Sequence, residues 1–103
     1  MEFIETPTFT RLVTTLVADE DYRVLQNILL SNPAHGALIR GGGGIRKVRF
    51  AIADRGKSGG LRVIYYWASA KDRIYLLLIY AKSHKDDLSD RETAILREYV
   101  KEL

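Results

Sequence analysis

The chain contains no cysteine, which removes disulfides, thiolate nucleophiles and cysteine-ligated zinc from consideration. Its only histidines, His35 and His84, lie far apart in the sequence and cannot by themselves build a metal site. No metal and no cofactor is therefore expected. No apolar run approaches the roughly 20 residues that a membrane-spanning helix requires, so no membrane partner is expected either. The stretch Met1–Glu5 is acidic and lacks the basic start and apolar core of a signal peptide, which makes the cytoplasm the expected location. A nucleotide-triphosphate loop is missing as well. In the one candidate, Gly56-Lys57-Ser58, the glycine required five residues earlier is Ala51, and a β-rich segment follows where a helix should. No nucleophile elbow is present, and Asp86 and Asp87 are adjacent, so they diverge instead of facing each other across a cleft.

What remains is an ordinary globular composition, 47% hydrophobic and 28% charged over 103 residues. That length supports one core, and the whole of 1–103 is expected to be a single domain. The net charge of +3 conceals a marked asymmetry. Between Arg40 and Arg62 stand Arg40, Arg46, Lys47, Arg49, Arg55, Lys57 and Arg62 against Asp54 alone; seven bases and one acid give +6 there and leave −3 for the rest. A basic block within a mildly acidic chain is the footprint of a surface that binds polyanions.

The hydrophobic pattern assigns the elements. Phe3 and Ile4 suggest a short strand, and Thr6-Pro7 supplies a cap and a first helical residue for a helix running to about Val17. Asp19-Glu20-Asp21 offers a cap and acidic first turn to a second helix, with Tyr22, Leu25, Ile28 and Leu29 at helical spacing, stopped by Asn32-Pro33. The two helices should pair and lay one apolar stripe on a sheet. From Ile45 the period becomes two: Val48, Phe50 and Ile52 fall on one face, Lys47 and Arg49 on the other. Leu61–Trp67 forms the next strand, with Arg62, Ile64 and Tyr66 on a shared face. Ile74–Tyr80 is apolar on both faces and belongs inside the sheet, joined to its predecessor by a hairpin turn at Ser69–Asp72. Ser89 and Glu92 make a capping box for a last helix through Ile95, Leu96, Tyr99 and Val100. The order β-α-α-β-β-β-α describes an α+β fold with an antiparallel sheet of about four strands. Gly41–Gly44 reads as a mobile connection or a close approach to another chain.

The chemistry should therefore be cationic. Lys47 and Arg49, two apart on a strand, stand side by side, and Arg62 can join them if the register allows. Such cations repel one another, a strain that an anionic ligand relieves. These three, with Lys82, are expected at the surface, carrying the activity without holding the fold together. Lys82 and Lys85 would extend the rim, while Tyr66 and Tyr80 offer stacking faces for bases and Tyr65 belongs mostly to the core. Arg46 and Lys57 add charge for RNA binding. His84, in the polar loop Ser83-His84-Lys85-Asp86, is a candidate acid or base, whereas His35, between Pro33 and Gly36, reads as a turn residue.

Three stretches carry a family likeness: Gly43-Gly44-Ile45-Arg46-Lys47-Val48-Arg49, Lys57-Ser58-Gly59-Gly60-Leu61-Arg62-Val63-Ile64-Tyr65-Tyr66, and Leu77-Leu78-Ile79-Tyr80-Ala81-Lys82. Together they resemble the RelE/ParE superfamily of toxins, and within it the HigB type. The resemblance implies a metal-independent, ribosome-dependent mRNA endoribonuclease that inhibits translation and is silenced by a cognate antitoxin. That antitoxin would be HigA- or RelB-like, with a helix-turn-helix DNA-binding part. By position, Lys47 and Arg49 match the family's paired strand cations, Arg62 its strand arginine and Lys82 the base after the central strand. Arg49 and Arg62 would then stabilise phosphate charge, and a Lys47 of lowered pKa would serve in proton transfer. Where RelE itself carries an arginine and then a tyrosine after the central strand, this chain has Ser83 and Ser89, which leaves His84 or Lys85 as acid or base. ParE-like gyrase poisoning, or RNA binding without catalysis on the same fold, are the alternatives.

Overall fold

The computed structural model describes residues 1–51 and 60–103; Ile52, Arg55 and Lys57 lie outside the described residues. Strand β1 spans Glu2–Glu5 and leads directly into helix α1, Pro7–Leu16. Thr6 joins the two: its hydroxyl accepts from Phe9 N at 3.0 Å as the helix cap and donates to Leu77 O at 2.9 Å on a distant strand. Helix α2, Asp19–Ser31, follows after a two-residue link and ends at Asn32. The expected acidic cap is not formed. Ala18 occupies the cap position without a side-chain bond, and Asp19, Glu20 and Asp21 lie inside the first turn, where they meet the positive end of the helix dipole.

Strand β2 is only Ala37–Leu38, β3 is Ile45–Phe50, β4 Leu61–Ala68 and β5 Arg73–Ala81; helix α3, Asp90–Val100, closes the chain. The sheet order is β1-β5-β4-β3-β2. It has five strands instead of about four, and it is mixed, because β1 runs parallel to β5 while the other pairs are antiparallel. Two residues are too few to show a period, which is why β2 leaves no trace in the sequence pattern. The direction of β1 depends on a partner some seventy residues away.

The glycine run is the tip of the β2–β3 hairpin. Gly41, Gly43 and Gly44 have φ of 73°, 70° and 111°, values that side chains disfavour. Arg97 of α3 donates to Gly41 O at 3.0 Å and fastens the tip to the helix. A short 3-10 turn, Ser69–Lys71, closes the β4–β5 hairpin.

Each face of the sheet has its own cover. Under α1 and α2 lie Val48, Phe50, Leu61, Val63, Tyr65, Leu76 and Ile79, packed with Phe9, Val13, Leu25 and Leu29. On the other face Ile45, Ile64, Tyr75 and Leu77 pack with Leu96 and Val100 of α3. A β-bulge sets this division: Ile64 pairs with Leu78 but Tyr65 with Leu76, so Leu77 is left without a partner on β4. Leu77 and Leu78 consequently both belong to the α3 side. Within α3, Ile95 and Tyr99 stay exposed, at 58% and 44%. Among the described residues no helix is long and apolar enough to cross a membrane.

Candidate active site

Register decides where the cations meet. Lys47 pairs with Ile64, Arg49 with Arg62, and Arg62 in turn with Tyr80. Directly paired residues point to one side of a sheet, so Arg49, Arg62 and Tyr80 form a row across β3, β4 and β5, with Lys47 two residues along. This row lies on the α3 face, beyond the part occupied by the apolar side chains under the helix. Lys47 is half-buried and Arg49 exposed. Arg62 is not at the surface, where it was expected: it is 4% exposed, on a strand flanked by β3 and β5. A variant at Arg62 therefore perturbs packing as well as charge.

Two carboxylates return to this row from the loop between β5 and α3. Asp87 accepts from Lys47 Nζ, and Asp86 Oδ1 lies 3.8 Å from Arg62 Nη2. The Lys47 hydrogen bond and charge hold the Asp87 carboxyl below its ordinary range, with Arg62 and Arg49 adding to the effect. The loop is anchored at both ends. Lys82 N donates to Gly60 O at 3.2 Å and His84 N to Ala81 O at 3.0 Å. At the far end Ser89 and Glu92 complete the expected capping box, and Lys85 forms an ion pair with Glu92. That lysine and the Ser89 amide lower the Glu92 pKa. Lys85 Nζ also lies over the Tyr80 ring, 5.1 Å from its centre. Burial raises the Tyr80 pKa, and its hydroxyl has no hydrogen-bond partner among the described residues.

The remaining expected residues divide. Lys82 is exposed at the end of β5. His84 is exposed too, but it lines a cleft of about 340 Å³ with Leu12, Leu16, Tyr80 and Lys85, one that neither Lys47 nor Arg49 lines. Tyr66 is half-buried beside Tyr75, with ring centres 6.4 Å apart. Tyr80 is buried under Lys85, so stacking a base on it requires that lysine to move. Arg46 points to the opposite side from Lys47, where its guanidinium donates to Gly36 O at 2.8 Å and Ala34 O at 3.2 Å. Tyr65 is wholly buried, as expected. Lys57 lies outside the described residues.

Three residues that sequence reasoning set aside stand at the cation row. Asp86 and Asp87 diverge, as adjacent residues must, yet each reaches a different cation. His35 shares a cleft of about 490 Å³ with Lys47 and Arg49. No local signal marks them, because all three gain their neighbours from the sheet register and the path of loops.

Three cations on one face, two of them with carboxylates against them, have the chemistry to bind an anion such as a phosphodiester. A family model described as the RelE toxin of the RelE/RelB toxin–antitoxin system matches residues 9–103. The match takes in both helical layers and every strand that carries the cation row. The chain belongs to the RelE toxin family, the toxin half of a toxin–antitoxin pair.

Proposed function

We propose that this toxin is a HigB-type, ribosome-dependent endoribonuclease that cleaves mRNA and so stops translation in the cytoplasm, with 1–103 acting as one catalytic domain. The observation that carries this reading is the Lys47–Arg49–Arg62 cluster with Asp86 and Asp87 laid on it. Like charges placed opposite each other on neighbouring strands destabilise a sheet, and the carboxylates occupy the position an anionic substrate would relieve. In the reaction the 2′-hydroxyl of one nucleotide attacks the adjacent phosphate and expels the 5′-oxygen of the next. Arg49 and Arg62 neutralise the charge that grows on the phosphate oxygens, and Lys47 and Lys82 hold the flanking backbone. The partner is an antitoxin of the HigA or RelB kind, bearing a helix-turn-helix DNA-binding part.

Mapping mRNA 5′ ends by primer extension after induction tests the proposal. Cuts within translated codons, absent when translation is blocked, are the expected result. Intact transcripts with arrested DNA replication would move the assignment to gyrase poisoning, and intact transcripts with normal growth to RNA binding without catalysis.

A further inference from the structure

Cleavage of this kind has to protonate the departing 5′-oxygen, and the cations of the row are poorly suited to it. Lysine and arginine ordinarily hold their protons at neutral pH, while the side chains that titrate near neutrality are chiefly histidines. The Asp87 carboxyl, held below its usual range, has no proton to give. His35 lines the cleft shared by Lys47 and Arg49, whereas His84 lines a different cleft, with Tyr80, Lys85, Leu12 and Leu16.

The turn that carries His35 is hydrogen-bonded from several sides. Tyr65, wholly buried in the helix-covered face, donates its hydroxyl to Pro33 O at 2.7 Å and accepts from Gly36 N at 2.9 Å. Arg46 donates to the carbonyls of Ala34 and Gly36, and His35 N itself donates to Asn32 O at 2.9 Å. Gly36 leaves no room for a side chain: a Cβ there would stand 2.8 Å from the Tyr65 ring and 2.9 Å from Lys47 O. Immediately afterwards Ala37 pairs with Lys47, which ties the turn to the strand that carries the site. The His35 side chain is exposed, so none of this bonding serves to bury it. A turn tied down by these bonds, whose histidine lines a cleft with Lys47 and Arg49, suits proton transfer.

Resting on the reading of the protein as an endoribonuclease, we infer that His35 is the general acid of the cleavage, and that Tyr65 and Arg46 are its positioning residues. The 2′-oxygen bonds to phosphorus while its proton passes to solvent water. The bond from phosphorus to the 5′-oxygen breaks, its electron pair stays on that oxygen, and the His35 imidazolium supplies the proton. A 2′,3′-cyclic phosphate and a free 5′-hydroxyl result, and neutral His35 regains its proton from solvent.

The test uses the full chain on ribosomes programmed with a synthetic mRNA, in two forms: one with the natural oxygen at the mapped cut, one with a bridging 5′-sulfur, a leaving group that departs without protonation. His35→Ala should cleave the oxygen substrate about 100-fold more slowly than the unaltered toxin. On the sulfur substrate the two should agree within a few-fold. Arg46→Gln, which loosens the turn from outside the cleft, should show a smaller defect that the same sulfur removes. His84→Ala, at the other candidate, should show no defect that the sulfur removes. Unchanged cleavage by His35→Ala, a defect that persists on the sulfur substrate, or sulfur rescue of His84→Ala instead would each overturn the assignment. An unaltered toxin that cuts neither substrate would remove the endoribonuclease reading itself, and this inference with it.

Discussion

The two faces of the sheet are built from the same strands and follow different rules. Toward α1 and α2 the side chains of β3, β4 and β5 are, apart from Arg46, apolar and largely buried, from Val48 and Phe50 through Val63 and Tyr65 to Leu76 and Ile79. Toward α3 the same strands begin in that manner, with Ile45, Ile64 and Leu77, but continue into Lys47, Arg49 and Arg62. One face thus supplies cohesion throughout, while the other divides between a helix-covered half and a half where like charges stand opposite each other. Cross-strand cations cost stability unless something anionic lies against them, and here that is Asp86 and Asp87. The fold tolerates the second face because the first, Arg46 apart, is apolar.

This comparison can be broken from either side. The largest stability effect belongs to the helix-covered face: Phe9, fully buried between α1 and the sheet, replaced by Ala should lower the unfolding free energy by about 3–5 kcal/mol. Chemical denaturation measures this directly, and a loss below about 1 kcal/mol would mean that the layer is not the main source of cohesion. Next comes the cation row, where Arg62→Ala should reduce mRNA cleavage by about 100-fold or more. Its stability should also shift, since Arg62 is buried, whereas Arg49→Ala at the exposed end of the row should leave the melting temperature nearly unchanged. Equal melting temperatures for the two variants would deny that burial distinguishes them.

A smaller effect should follow from Ser89→Ala, which removes the capping hydroxyl at the end of the loop that carries Asp86 and Asp87. About 1 kcal/mol of stability should go with it, visible by thermal or chemical unfolding. The smallest effect concerns Asp87 itself. Its carboxyl is held below the ordinary range in the folded chain, so the contribution is present above its unfolded pKa and fades as pH falls through the lowered one. The melting temperature of the unaltered protein should therefore exceed that of Asp87→Asn at pH 6, and the gap should close as pH drops below about 4. A gap that widened with acid would contradict the Lys47–Asp87 pairing.

Much of the molecule was legible in the amino-acid sequence. The alternation from Ile45 placed Lys47 and Arg49 on the face opposite Val48 and Phe50, and Arg62 with Ile64; the coordinates agree. Thr6-Pro7, Asn32-Pro33 and the Ser89/Glu92 box marked helix ends correctly, because caps and stops are local chemistry. The family likeness, carried by three strand-centred stretches, agrees with the match over residues 9–103. Other features depended on packing between distant segments. The two-residue strand β2, the parallel pairing of β1 and the bulge that turns both Leu77 and Leu78 toward α3 have no local pattern of their own. Burial of Arg62, the use of Arg46 as a clamp on backbone carbonyls, and the fastening of the glycine run to α3 likewise followed from tertiary neighbours.

By itself, then, the sequence determined the elements, the sidedness of the strands and the cationic character of the site, since each follows from periods of two or 3.6 residues and from local charge. Only the tertiary structure decided which cations share a row, which carboxylates answer them and which histidine shares their cleft. Register and loop path join residues such as His35, Lys47, Arg62 and Asp87 across separations over which no periodicity extends.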